Sequence, residues 1–300
     1  YVREAYLNGL TLEFTKQGNP YKFGLIGSTD THVVASSLDE SNYWSKVGLL
    51  DGDPENRGSV PLKEENVARL EEYMRAFNQP ISTVSLEQGE YANTGFTQWG
   101  ASGLAAAWAE ENTRESLFAA FRRKETFATT GPRISVRFFG GYNLSSIDLN
   151  SESLVSEAYS KGVTMGADLL NNDDQIPEFI VWALRDMNSA PLQRIQIIKG
   201  WIDMNSGRPK EKVFDVACSD GLEPDPITNR CPDNGARVNI NDCSISSNVG
   251  SSELKTVWKD PEFKVDDKAF YYVRVLENPT CRWSTCCLLY TSDAADDRMR

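Results

Sequence analysis

A chain of 300 residues with 31 Lys and Arg against 43 Asp and Glu carries a net charge of −12. That balance offers no basic surface to a phosphate backbone or an anionic membrane, which excludes nucleic acid as a partner, and no apolar run is long enough to span a bilayer, which excludes membrane insertion. With 40% hydrophobic residues and seven tryptophans, the chain can bury a substantial core, spread over about two domains at this length.

The first residues, Tyr1 to Leu10, read as a helix in progress with Val2, Ala5, Tyr6, Gly9 and Leu10 on one stripe. It is expected to run to residue 17 and to stop at Gly18, before the Asn19-Pro20 turn. Tyr21 to Ser28 then has a buried-strand pattern and runs into Thr29-Asp30-Thr31-His32, which holds the single histidine of the chain. In extended backbone, side chains at i and i+2 share a face, so Ser28, Asp30 and His32 emerge together. Asp30 and His32 aim one carboxylate and one imidazole at the same ion, a donor pair that suits zinc, manganese or iron better than calcium. The alternative places both in a polar loop.

After His32 comes a long polar region containing Gly48, Gly52-Asp53-Pro54 and Gly58, in which Tyr43 and Trp44 either stack on a substrate or anchor the loop. An amphipathic helix is predicted over 61–77, with Val67, Leu70, Met74 and Phe77 on one side. Residues 81–100 read as irregular. Ser102 to Ala107 is small and apolar and leads to Trp108 and the Glu110-Glu111 pair. Paired glutamates invite an acid/base reading, but Asn112 as a helix cap with Glu115 three residues on accounts for them more simply. Leu117, Phe118 and Phe121 are expected to face inward, and Arg122-Arg123-Lys124 to close the helix at its negative end. Thr126 to Thr130 is a predicted strand leading to Gly131-Pro132-Arg133, and Ile134 to Phe139 another. Arg133 could fork onto an anionic substrate group. Strand alternation equally places Arg133, Ser135 and Arg137 on one side, with the apolar residues opposite.

Gly140-Gly141 reads as a boundary. Beyond it the pattern is of strands alone, over 179–184, 192–198, 213–218, 254–258 and 270–276, separated by Pro, Gly and Asp loops, which predicts a β-sandwich-like domain. With Cys286 and Cys287 set aside, four cysteines remain: Cys218, Cys231, Cys243 and Cys281. There is no Cys-x-x-Cys pair and no nearby histidine, so disulfides are favoured over zinc. Disulfides imply an oxidising compartment, the periplasm or the cell exterior. Four cysteines allow three pairings, and the sequence does not choose among them. No nucleophilic Ser or Cys arrangement and no Gly-rich nucleotide loop is visible.

Gly27-Ser28-Thr29-Asp30-Thr31-His32 resembles the last metal-binding motif of the PHP (polymerase and histidinol phosphatase) metallohydrolases. In that family an Asp-x-His completes a two- or three-metal site at the mouth of a distorted β/α barrel. Lys22 to His32, Trp108 to Glu115, Glu125 to Arg133 and Phe270 to Pro279 are similar to one PHP-like branch, the family called domain of unknown function 3604, and they spread the resemblance to about residue 285. The resemblance implies an α/β plus all-β fold: residues 1–140 as the C-terminal part of a distorted β/α (PHP-like) barrel, then a β-rich domain over 141–286.

It also implies Asp30 and His32 as metal ligands, two or three divalent ions in the complete protein, and a small-molecule ester or phosphoester opened by metal-activated water. Thr130, in a Thr-x-Gly-Pro turn like those of PHP relatives, is a substrate-contact candidate with Arg133 and Tyr43. The family's upstream His-x-His has no counterpart here, so the chain is expected to be an inactive fragment that begins inside the catalytic domain. Residues 287–300 resemble the translation of a sequencing adapter and are set aside; a natural acidic tail is the alternative. A reading from another class is a non-catalytic extracellular binding protein on the same scaffold.

Overall fold

A computed structural model describes residues 2–29, 54–76, 78, 82–87, 89–93, 102–172, 175–282 and 285, and the architecture is that of these residues. Helix α1, Val2–Phe14, forms where its apolar stripe predicts, with Gly9 and Leu10 buried. It ends earlier than Gly18. Lys16 adopts the left-handed conformation at φ 61°, and the N–H groups of Lys16 and Gln17 return to the carbonyls of Glu13 and Leu12 at 3.1 and 2.9 Å, closing the last turn.

The expected buried strand over 21–28 is not formed: no strand is assigned there, and Phe23 and Ile26 are 40% and 58% exposed. The segment instead lies along residues 124–128, tied by side chains rather than by a ladder. Thr126 Oγ1 donates to the Leu25 carbonyl at 2.8 Å and Lys124 Nζ to that of Lys22 at 3.2 Å.

Helix α2, Glu64–Ala76, buries Leu70 and Met74 against Ala92 and Leu62. Val67 is exposed, and Phe77 lies outside the described residues. The stretch read as irregular contains a hairpin of β1, Ser82–Leu86, and β2, Gly89–Asn93. It closes with Leu86 opposite Gly89 and places Val84 across from Tyr91. Strand β3, Leu104–Ala107, pairs antiparallel with β4, Thr126–Thr129. Helix α3, Arg114–Arg123, lies between them and is capped by Thr113, one residue after the expected Asn112. Its inward stripe is Leu117 and Ala120. Phe118 and Phe121, predicted inward, are 64% and 49% exposed, because they occupy the neighbouring stripe of the same helix.

These small antiparallel sheets do not close. Among the described residues there is no closed barrel, and the β3–β4 pair is antiparallel where a β/α barrel requires parallel neighbours.

The predicted strands of the second half do form two facing sheets. Strand β5, Ser135–Gly141, runs straight through the Gly140-Gly141 pair read as a boundary. Helix α4, Leu154–Lys161, departs from the expectation of strands alone. It is followed by β6, Gly162–Thr164, β7, Glu178–Leu184, β8, Leu192–Asp203, β9, Arg208–Cys218, β10, Glu253–Lys259, and β11, Ala269–Glu277. One sheet has the order β10-β7-β5-β6 and the other β11-β8-β9, with every pairing antiparallel.

Between the sheets lie Phe138, Phe179, Val181 and Ala183 from the first and Leu192, Ile195, Ile197, Phe214 and Val216 from the second. Phe139, on the opposite face of β5 from Phe138, is also buried, because Leu154 and Ala158 of α4 cover it together with Leu144 and Ile147. The second sheet is covered by α1. Tyr6 packs on Phe270 with ring centroids 5.1 Å apart, Arg3 pairs with Glu211, and Glu13 pairs with Lys268 at 2.8 Å.

The long loop after β9 has little regular structure and is fastened covalently. Cys218 bonds to Cys231 and Cys243 to Cys281, the pairing the sequence left open. A buried carboxylate adds to this: Asp215 accepts from Arg194 at 3.0 Å, Gln196 at 2.7 Å and the Cys231 N–H at 2.8 Å. Two disulfides are the mark of an oxidising, extracellular environment.

Candidate functional site

Asp30, His32 and Tyr43 lie outside the described residues. The structure does describe the segment that delivers the Asp-x-His motif, up to Thr29, and what surrounds its end. Ser28 and Thr29 run against Ser102-Gly103. A Cβ on Gly103 would sit 2.9 Å from the Ser28 carbonyl oxygen and 3.4 Å from the Thr29 nitrogen, a clearance that only glycine provides. Ser102 is fully buried and donates through Oγ to the Thr130 carbonyl at 3.0 Å. Thr130 therefore flanks the end of the motif segment, with its own side chain on the exposed surface.

Arg133 is anchored through its main chain. Its backbone N–H donates to Asp186 Oδ2 at 2.7 Å, in the connection between β7 and β8. Burial acts to raise the Asp186 pKa, but the N–H groups of Arg133 and Asn188 and the charges of Arg133 and Arg185 outweigh it and hold the carboxyl below its usual range. The structure thus brings Thr130 to the motif segment and ties Arg133 to the sandwich. Among the described residues no group of three or more His, Cys, Asp or Glu could hold a metal ion.

The Glu110-Glu111 pair behaves as helix-start chemistry. Glu110 accepts from Ser116 Oγ at 3.1 Å and pairs with Arg123 at 3.3 Å, and the Glu111 N–H donates to Ser116 Oγ. The carboxylate that matters locally is one the sequence reading passed over. Glu125 is buried and accepts from Tyr159 OH, from Thr164 Oγ1 at 3.0 Å and from Arg123 Nε at 3.3 Å. It joins α3, α4 and β6 behind the strand that supports the motif segment. Burial, followed by the hydrogen bond and charge of Glu125, pushes the Tyr159 pKa up. The sequence signal was a charged residue just before an apolar strand.

A second buried group also escaped notice. Lys199 is fully buried, with Nζ donating to Asp260 Oδ2 at 2.6 Å and to the Glu262 carbonyl at 2.9 Å. Tyr271 OH donates to the same Asp260 oxygen at 2.7 Å. Its sequence signal is a lysine inside Ile197-Ile198-Lys199-Gly200-Trp201-Ile202.

A family model described as protein of unknown function (DUF3604) matches residues 1–299. The chain belongs to this family. The DUF3604 match takes in the Asp-x-His motif, the Ser102–Thr130 surroundings and the whole sandwich. No curated protein and no solved structure matches the chain. No helix among the described residues is long and apolar enough to cross a membrane.

Proposed function

We propose that this DUF3604 chain is part of a PHP-like, metal-dependent hydrolase acting on a small-molecule ester or phosphoester, exported to the periplasm or secreted. The observation that carries the reading is the Asp30-Thr31-His32 motif, which follows directly on a segment fastened by side chains to β4 and packed at its end against Ser102-Gly103. One carboxylate and one imidazole are the right donor types for zinc, manganese or iron. They supply two of the three or four protein ligands such a site needs.

When bound, the divalent ions would lower the pKa of a water and polarise the substrate. Asp30 would neutralise part of the metal charge, and His32 would ligate a neighbouring ion through its neutral imidazole. Thr130, at the flank of the motif segment, is a candidate to orient substrate, with Tyr43 and Arg133 as further candidates.

In the complete protein, Asp30→Ala and His32→Ala are each expected to abolish metal-dependent turnover of ester and phosphoester substrates. Bound metal, read by elemental analysis, should fall as well. Full activity and full metal stoichiometry in both variants would refute the proposal.

The alternative is a non-catalytic extracellular binding protein on the same scaffold, in which the β-rich domain provides the function. A complete protein that binds no zinc, manganese or iron would move the function to the sandwich.

A further inference from the structure

Beyond the sandwich core, β8 continues, and Lys199 and Trp201 follow Ile195 and Ile197 on the same face of the strand. The connection between β10 and β11 folds across them. It leaves an open cavity of about 510 Å³ whose lining includes Trp201, Asp203, Asn205, Lys210, Phe263 and Asp267. The volume is within the range of small-molecule sites, roughly 300 to 1,000 Å³. The buried Lys199, Asp260 and Tyr271 network adjoins two of the lining residues, with Lys199 Nζ donating to the Glu262 carbonyl at 2.9 Å and lying 5.2 Å from the Trp201 ring centroid.

The polar groups around the cavity are not equally available. Asp203 is taken, by Lys210 Nζ at 2.5 Å and by the Asn205 N–H at 3.0 Å. Glu262, also in the lining, is paired with Lys212. Asp267 is different: its carboxylate has no hydrogen-bond partner among the described residues, and while Oδ2 is sealed inside the protein, Oδ1 is left for a ligand in the cavity. Burial raises the Asp267 pKa, against the nearby charges of Lys199 and Lys264.

The site thus offers an aromatic ring, one carboxylate awaiting a donor, an exposed amide and an ammonium. Its local charges are already largely paired. Anions are disfavoured by the three carboxylates in the lining, and a cation gains little where Lys264 stands near the one available carboxylate. A neutral polyhydroxylated ring matches all of these features, with an apolar C–H face for the indole and hydroxyl donors for the carboxylate.

We propose that this cavity binds a neutral saccharide, with one sugar ring stacked on Trp201, a hydroxyl donating to Asp267, and further hydroxyls meeting Asn205 and Lys210. The proposal draws on none of the residues assigned to the metal site and does not rest on that reading.

Saturation-transfer NMR on the 300-residue chain with cellobiose, maltose and N,N′-diacetylchitobiose tests it. At least one disaccharide should bind saturably at millimolar concentration or below. Asp267→Asn should weaken it about tenfold, as expected for a lost hydrogen bond to a charged acceptor, and Trp201→Ala should abolish it. Asn205→Ala, on an exposed turn, should weaken binding without disturbing the fold, and together with Asp267→Asn it decides the matter if Trp201→Ala does not fold. Absence of saturable binding by all three sugars would overturn the proposal. So would unchanged affinity in the Asn205 and Asp267 variants, or displacement of the sugar by millimolar ethylamine, which would mark a cation site.

Discussion

Glu277 ends β11 with its Oε1 buried and without a hydrogen bond. Burial raises its pKa to about 7, against the opposing influence of Ser189 and Arg185 and with help from the Asp186 charge. An unfolded glutamate titrates near pH 4.3, so between about pH 4.3 and 7 the folded state holds a proton that the unfolded state has lost. Stability from this group is complete below the unfolded value and is lost as pH rises through the folded one. Urea denaturation from pH 5 to pH 8 should show stability falling with pH, and Glu277→Gln should flatten that slope and be the more stable form at pH 8. A slope identical in the two proteins would mean that Glu277 is ionised throughout. Lys199 and Asp260 show the opposite solution to burial: two charges share one tight contact, and a carbonyl and a phenol satisfy the remaining valences.

At the scale of elements, the disulfides fasten the loop over 219–252 to the ends of strands, at Cys218 where β9 ends and at Cys281 just beyond β11, while the strands carry their own ladders and core. Each closed loop restricts the unfolded chain, contributing about 3 kcal/mol for the shorter and about 4 kcal/mol for the longer by chain-entropy reasoning. Reduction with dithiothreitol should lower the melting temperature and raise hydrogen exchange first in 219–252, while β7 and β8, central in their sheets, keep their protection. Uniform loss of protection would place the bridges in the cooperative core instead.

The same contrast explains what could be read in advance. Strands β7 and β11 were legible because their apolar and aromatic residues are nearly continuous, and β10 by Leu254, Val257 and Trp258 among its polar residues. The outer halves of β8 and β9 were not, since Lys199, Lys210 and Lys212 interrupt the pattern where the strands leave the core. The β1–β2 hairpin was hidden by side chains that are nearly all exposed. Helix α3 was found but rotated by one stripe, because a hydrophobic phenylalanine was given more weight than a small alanine. The cysteine pairing depends on how a loop of irregular backbone folds back, and no periodicity encodes that. Of the candidate site, the Thr130 turn was singled out by its Thr-x-Gly-Pro sequence, while the segment before Asp30 was read as a buried strand that does not form. The destination of Arg133 was not, because Asp186 lies in another part of the chain.

At the scale of the whole molecule, four layers stack in order: α1, the sheet β11-β8-β9, the sheet β10-β7-β5-β6, and α4. Both sheets are completed by strands that follow the long loop, β11 beside β8 and β10 beside β7. The two disulfides close separate stretches, 218–231 and 243–281, so among the described residues only the main chain connects the halves across 232–242. Arg237 lies exposed in that window.

Tryptic cleavage at Arg237 should therefore give two pieces that separate on a denaturing gel without reductant, yet elute as one species in native gel filtration. Pieces that part in native buffer would show that the loop itself holds the sheets together. The placement of the bridges thus makes the sandwich divisible: each polypeptide would keep its own crosslink, and the two could be produced apart and left to recognise each other through their strand edges.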